Sequence, residues 1–385
     1  MSPTCADVHR LLTSTNPGQR LLPARREPVL NTLRDFVNAN EDPRVSPNYR
    51  DQRPDEMEGI FKLMSTPECG ADEEVSLQAL KTLKILSRKQ ENRQNFGRRG
   101  LNAVLRLLID PSSSRVAGEG SNVILNVCYE KENVDAILMC GGVEPLVRFL
   151  GESSDPDLQA NAAGAIQSIC FQEKGRISVR DLDGVRAMLR LLAESRGNVK
   201  VQTRAIGAIH NMSSDAESIR LIRAKDGIPL VVDLLKSDQP AVCGSAAGAL
   251  QNVSREVASR RLIRHSGAVP LLGNLLVAGD MQAQVCAAGA LLNILGPELG
   301  PGAGEGEGVE GEGAGDGETG REEGVGMGLG GNKENDGVGN GAAAAAGAAD
   351  GGDRRALGRI ISSALALSMV WDVCFDCAPD PRNLA

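Results

Sequence analysis

Five positions in this chain of 385 residues repeat an amide or its nearest substitute: Asn126, Ser168, Asn211, Asn252 and Asn293. They fall 42, 43, 41 and 41 residues apart. A primary amide donates and accepts at once, so a regular row of them can pair with the backbone of an extended peptide. The same row can instead bond neighbouring helix backbone and hold a stack together. Four residues further on stand Glu130, Gln172, Asp215, Glu256 and Pro297. Residues i and i+4 of a helix share a face. The three acids therefore suggest a margin that prefers a basic partner, set against the plainer reading of solvated helix ends. Arg204, seven residues before Asn211, is the basic member of the same stripe. It is placed to make a local salt bridge or to meet an acidic side chain.

Other chemistry finds little support. His9, His210 and His265 occupy unrelated positions, and no Ser–His–Asp or Cys–His arrangement is recognisable, so no enzyme is expected and no catalytic residue is assigned. No cofactor or metal is expected either. Two dinucleotide-type patterns, Gly315-x-Gly317-x-x-Gly320 and Gly326-x-Gly328-x-x-Gly331, lie in a tract so rich in glycine that they read as chance. Cys374-x-x-Cys377 is a lone pair with no second pair to complete a metal site. The sequons at Asn211 and Asn252 sit in helical patterns and are discounted.

The elements that carry the amides are repeats. Ala246-Ala247-Gly248-Ala249-Leu250-Gln251-Asn252-Val253-Ser254 has close relatives at 120–128, 162–170, 204–212 and 287–295, and a weaker one at 80–87. Each full repeat has one grammar. A short helix comes first. A glycine (Gly100, Gly142, Gly184, Gly227 or Gly267) follows and is expected to end it in the left-handed conformation. A second helix follows, opened by Pro145, Pro229 or Pro270 in three of the repeats. The third helix carries the Ala/Gly/Asn pattern. A fixed period near 42 with helical punctuation is the signature of a helical solenoid, in which no unit can bury its apolar stripe alone.

These motifs resemble the armadillo repeat family. The Gly-x-x-Pro-Leu-Val turn at 142–147 and the Ala-Ala-Gly-Ala-Leu-x-Asn third helix carry the resemblance over roughly residues 55–296. HEAT repeats are the fold-level alternative, disfavoured by the short first helix and the Asn. The resemblance implies an all-α, right-handed superhelical solenoid whose third helices line a concave groove. It also implies that the matching asparagines pair with a bound peptide. One departure stands out. Nuclear-import relatives place a Trp four residues before each Asn, whereas this chain has Asn122, Gly164, Gly207, Gly248 and Gly289. A classical nuclear-signal receptor is therefore not expected.

The expected organisation is an N-terminal segment with a capping helix (1–54), about six repeats (55–296), an acidic Gly/Ala-rich insert without a core (297–353), a helix (354–377) and a tail (378–385). The insert holds 13 Asp and Glu against 2 Lys and Arg, a net −11. The chain as a whole is −8, so the rest is weakly positive, at +3. That balance is too slight for nucleic acid, and one Trp, two Tyr and six Phe argue against stacking platforms for single strands. The N-terminus is polar, and the longest apolar stretch is 12 residues, too short to span a bilayer. The expectation is a monomeric chain of the cytoplasm, with the nucleus as the other compartment considered. It would scaffold a protein partner, a basic extended peptide or a helix. The alternatives are a co-chaperone or exchange factor acting on an ATPase or GTPase, and an assembly factor for cytoskeletal or ciliary complexes.

Overall fold

A computed structural model describes residues 26–42, 54–195 and 197–295. Every regular element among them is a helix. The chain divides into two compact units, Met1–Leu230 and Val231–Ala385. The insert and the helix expected at 354–377 lie outside the described residues.

In the first unit, α1 (Arg26–Asn40) precedes a repeat built from α2 (Pro54–Met64), α3 (Pro67–Ala71) and α4 (Glu73–Leu86). Then come α5 (Gln90–Gln94), α6 (Gly97–Ile109) and α7 (Ser114–Val127). Next are α8 (Lys131–Met139), α9 (Val143–Glu152) and α10 (Pro156–Ile169). The following triplet is α11 (Glu173–Asp181), α12 (Gly184–Glu194) and α13 (Val199–Met212). After α14 (Ala216–Ala224), the division falls within α15 (Gly227–Leu234). The second unit holds α16 (Pro240–Val253), α17 (Val257–His265), α18 (Ala268–Leu275) and α19 (Met281–Leu295).

The third helices of the first unit begin alike. Asp72, Ser113, Asp155 and Asn198 each accept a backbone N–H from the first turn of α4, α7, α10 and α13. Such a side chain supplies one of the acceptors that the opening turn of a helix lacks. The helices then pack side by side in chain order, α1 on α4, α4 on α7, α7 on α10 and α10 on α13. Small residues allow the close approach, and Ala162, Ala163, Ala165, Ala205 and Ala208 are all fully buried. Helix α1 thus occupies the place of a third helix ahead of the first repeat. Val29, Leu30, Leu33, Phe36 and Val37 are buried there, and Arg26 and Arg34 reach Asp72 and Glu74.

Three of the five glycines differ from expectation by one residue and Gly100 by three. The left-handed position before the second helix is Gly141, Asp183 or Asp226, and in the Gly100 repeat it is Gly97 at the helix start; only at Gly267 does the named glycine hold it. Gly142, Gly184 and Gly227 instead sit where a Cβ would come within 3 Å of Leu105, of the Val179 carbonyl, and of Leu189 and the Ile222 carbonyl. Their smallness lets the first helix close onto the second. Gly100 lies inside α6, where a Cβ would meet the Phe61 ring at 2.7 Å.

Candidate functional site: the third-helix face

The recurring asparagines stand at the C-terminal ends of the third helices, and Asn126, Asn211 and Asn293 reach toward the preceding repeat. Asn126 Nδ2 donates to Ser87 Oγ at 2.9 Å and to the Lys84 carbonyl at 3.4 Å. Asn211 Nδ2 donates to the Gln167 carbonyl at 2.8 Å. In the second unit, Asn293 Nδ2 donates to Ser254 Oγ at 3.0 Å and to the Gln251 carbonyl at 3.3 Å. Asn252 is the most buried of the four, at 7% exposure. The bonds to the Lys84, Gln167 and Gln251 carbonyls each satisfy a C-terminal acceptor that its own helix leaves open. The amide nitrogen is thus engaged in the stack. The Oδ1 atoms of Asn126, Asn211 and Asn293 accept nothing from the described residues, and all three side chains are only partly covered. Ser168 holds the equivalent, partly exposed place on α10.

The glycines four residues upstream have a visible use. A Cβ on Gly207 would lie 2.4 Å from the Gln167 amide, and one on Gly289 would lie 2.3 Å from the Gln251 amide. The glutamine of one repeat folds over the glycine of the next. At Gly164 the stem of Arg204 does the same, with Cδ at 3.2 Å.

Residues 130–171, which span α8 to α10, match the Armadillo/beta-catenin-like repeat family. No curated protein is significantly similar in sequence. Among solved structures, an engineered protein is 28% identical over 63% of this chain and 97% of its own, with a TM-score of 0.58. A designed armadillo repeat protein is 21% identical over 61% of this chain and 98% of its own, at 0.56. Another, solved in complex with the peptide (KR)4, is 22% identical over 62% and 99%, at 0.55. The described residues have the armadillo-repeat fold.

The carboxylates at the ends of these armadillo third helices turn away from the face. Glu130 pairs with Arg93 at 2.9 Å, with side-chain exposures of 11% and 16%. Asp215 caps α14 through the Glu217 and Ser218 amides and pairs with Arg180. Burial pushes the Asp215 carboxyl upward, but the Ser218 hydroxyl and the Arg180 charge outweigh it and hold it below the ordinary range. Glu256 accepts the Ser259 hydroxyl at the start of α17. Glu130 and Asp215 therefore tie each first helix to the preceding one.

A further set was missed in the sequence. Arg93 donates to the Ser87 and Arg88 carbonyls, Arg176 to those of Cys170 and Phe171, and Arg260 to those of Ser254 and Arg255. Each guanidinium closes the C-terminus of the third helix before it, where a cation is favoured. The spacings of 83 and 84, two repeats each, were the available signal.

The other candidate groups are quiet. Burial pushes the Cys170 thiol up to about 12 and the Cys69 thiol up to about 11, and raises Cys128, Cys243 and Cys286 as well. Such thiols stay protonated and are poor nucleophiles. Burial also lowers His210 to about 4, so its ring is neutral at pH 7. Among the described residues, no group of three or more His, Cys, Asp and Glu could hold a metal, and no helix is long and apolar enough to cross a membrane.

Proposed function

We propose that the chain is a protein-binding scaffold whose third-helix face receives a segment of a partner protein. One observation carries this reading. Asn126, Asn211 and Asn293 keep their carbonyl oxygens open while their amide nitrogens are fastened to the preceding repeat. A side chain anchored in this way is rigid, and a rigid acceptor loses little entropy when a partner's N–H arrives. Designed armadillo repeat proteins of similar fold, one solved with a peptide and one made for peptide recognition, support a peptide-binding role. The basic peptide expected from Glu130, Asp215 and Glu256 depended on those acids facing a ligand. All three are engaged within the chain, so they do not set the sign of the partner.

The test is selection of binders from a random-peptide display library against the full chain. Enriched peptides are then measured on variants that place bulk on the face, Asn122→Trp and Thr203→Trp. Arg186→Glu, on the exposed side of α12, serves as control. Binding should fall at least tenfold with the first two and hold with the third. Peptides indifferent to both tryptophans would sink the assignment of the face.

A further inference from the structure

We infer that the third-helix face of the first unit takes an acidic extended segment of a partner protein, the opposite sign from the (KR)4 peptide of the designed relative. The inference rests on the scaffold reading above and adds the chemistry of the ligand.

The face holds a depression of about 380 Å³ between α4, α7, α10 and α13. Lys81, Lys84, Arg115 and Lys200 line it, together with Asn122 and Asn161. Three carboxylates share the lining, Glu119, Asp155 and Asp157. All three are engaged locally. Glu119 pairs with Lys84 at 2.7 Å, Asp157 pairs with Lys200 at 2.5 Å, and Asp155 caps α10. Arg115 only grazes Glu73, at 4.0 Å. Lys81 is left over, as is Arg204, one helical turn beyond Lys200 on α13. Neither has a hydrogen bond or ion pair among the described residues, and both are partly exposed.

The balance of the face is therefore set by cations without partners. With Arg204 included, five cations oppose three engaged carboxylates. Arg204 is also held in place, because its stem lies over Gly164. A fixed guanidinium presents a planar fork that suits a carboxylate. Adding a basic peptide here would place like charges together, which costs affinity and slows encounter.

Spacing defines the ligand further. Packed helices lie about 9 Å apart and an extended chain advances about 3.3 Å per residue. One repeat therefore corresponds to roughly three residues of ligand, and the span from α4 to α13 to roughly eight. The favoured segment carries an acid at about every third position, with small polar residues between that leave its backbone free for the open Oδ1 atoms.

The probes are two fluorescent nonapeptides, with Glu at every third position and Ser elsewhere, or with Lys in place of Glu. Anisotropy is read on the full chain. The Glu probe should bind at least tenfold more tightly than the Lys probe and weaken as salt rises. Lys81→Glu and Arg204→Glu should each lower its affinity about tenfold, while Arg186→Glu leaves it unchanged, with equal helicity by circular dichroism throughout. Tighter binding of the Lys probe, or indifference of the Glu probe to both reversals, would overturn the inference and leave the scaffold assignment standing. A last arm replaces the 13 acids of residues 297–353 with serine. Unchanged affinity supports a partner in trans. A rise above tenfold identifies the chain's own tract as the occupant and overturns the assignment to a partner.

Discussion

Charged side chains recur on two regions of the same repeats, and the two use them differently. Along the first-helix edge, Arg93 meets Glu130 and Arg180 meets Asp215, each pair half-buried or deeper. On the third-helix face, Lys81 and Arg204 stand without an acid. The edge is finished chemistry at these pairs, whose charges are matched inside the chain. The face is unfinished, and a ligand would complete it. Periodic recurrence alone does not separate the two, because both sets recur at the repeat length. What separates them is whether the preceding repeat supplies the counter-group.

The comparison is sharpest at two glycines. On the edge, a Cβ on Gly175 of α11 would stand 2.0 Å from the Ile169 carbonyl oxygen, a backbone atom that cannot turn aside. Gly175→Ala should therefore destabilise the chain by about 3 kcal/mol through overpacking, read as a lower urea midpoint. An unchanged midpoint would mean that the edge is far looser than its contacts indicate. Next in size is Glu130→Ala. It leaves Arg93 half-buried, yet that guanidinium keeps the Ser87 and Arg88 carbonyls and lies 5.6 Å from the Tyr129 ring centroid. A cost of about 2 kcal/mol follows, between that of an exposed pair and that of a buried pair broken outright.

The sequence carries much of this and omits a definable part. The helices, their order and the ladder at Asn126, Asn211, Asn252 and Asn293 follow from periodicity, which is local. The direction of the amides does not, because the Ser87 hydroxyl and the Gln167 carbonyl that orient them lie 39 and 44 residues away. The acids are a similar case. The i+4 rule places Glu130 and Asp215 on one stripe, but Arg93 and Arg180 stand 37 and 35 residues earlier, outside any local window. Asp183 and Asp226 took the left-handed turn because the neighbouring glycines were needed for close packing. The short helix α3 went unread because five residues show no period.

His210 lies on the face side of α13, in a position that Gln167 and Gln251 hold in other repeats. Burial sets its folded value near 4, below the ordinary 6.5. The folded state therefore binds fewer protons than the unfolded one. The stability tied to the neutral ring is complete above pH 6.5 and is lost as pH falls toward 4. Asp72, Glu74 and Asp215 are lowered as well, so their contribution begins to fade as pH enters the ordinary carboxylate range and is lost below it. His210→Gln should flatten the urea midpoint between pH 6.5 and 4.5 and leave the acid limb below it intact. Equal slopes in both proteins would place the titration elsewhere.

The smallest effect has the opposite sign and tests the face directly. Gly118 lines the depression on α7, and a Cβ there would meet nothing within 4 Å. Its φ is ordinary and its carbonyl still accepts Asn161 Nδ2 at 3.2 Å, so nothing is lost on substitution. Alanine in a helix interior is favoured over glycine by about 0.5–1 kcal/mol, and Gly118→Ala should raise the urea midpoint by that much. The same substitution type thus destabilises at the edge and stabilises on the face. If Gly118→Ala instead destabilised the chain, the open space above α7 would be filled by part of the chain itself, and the face would no longer be free for a partner.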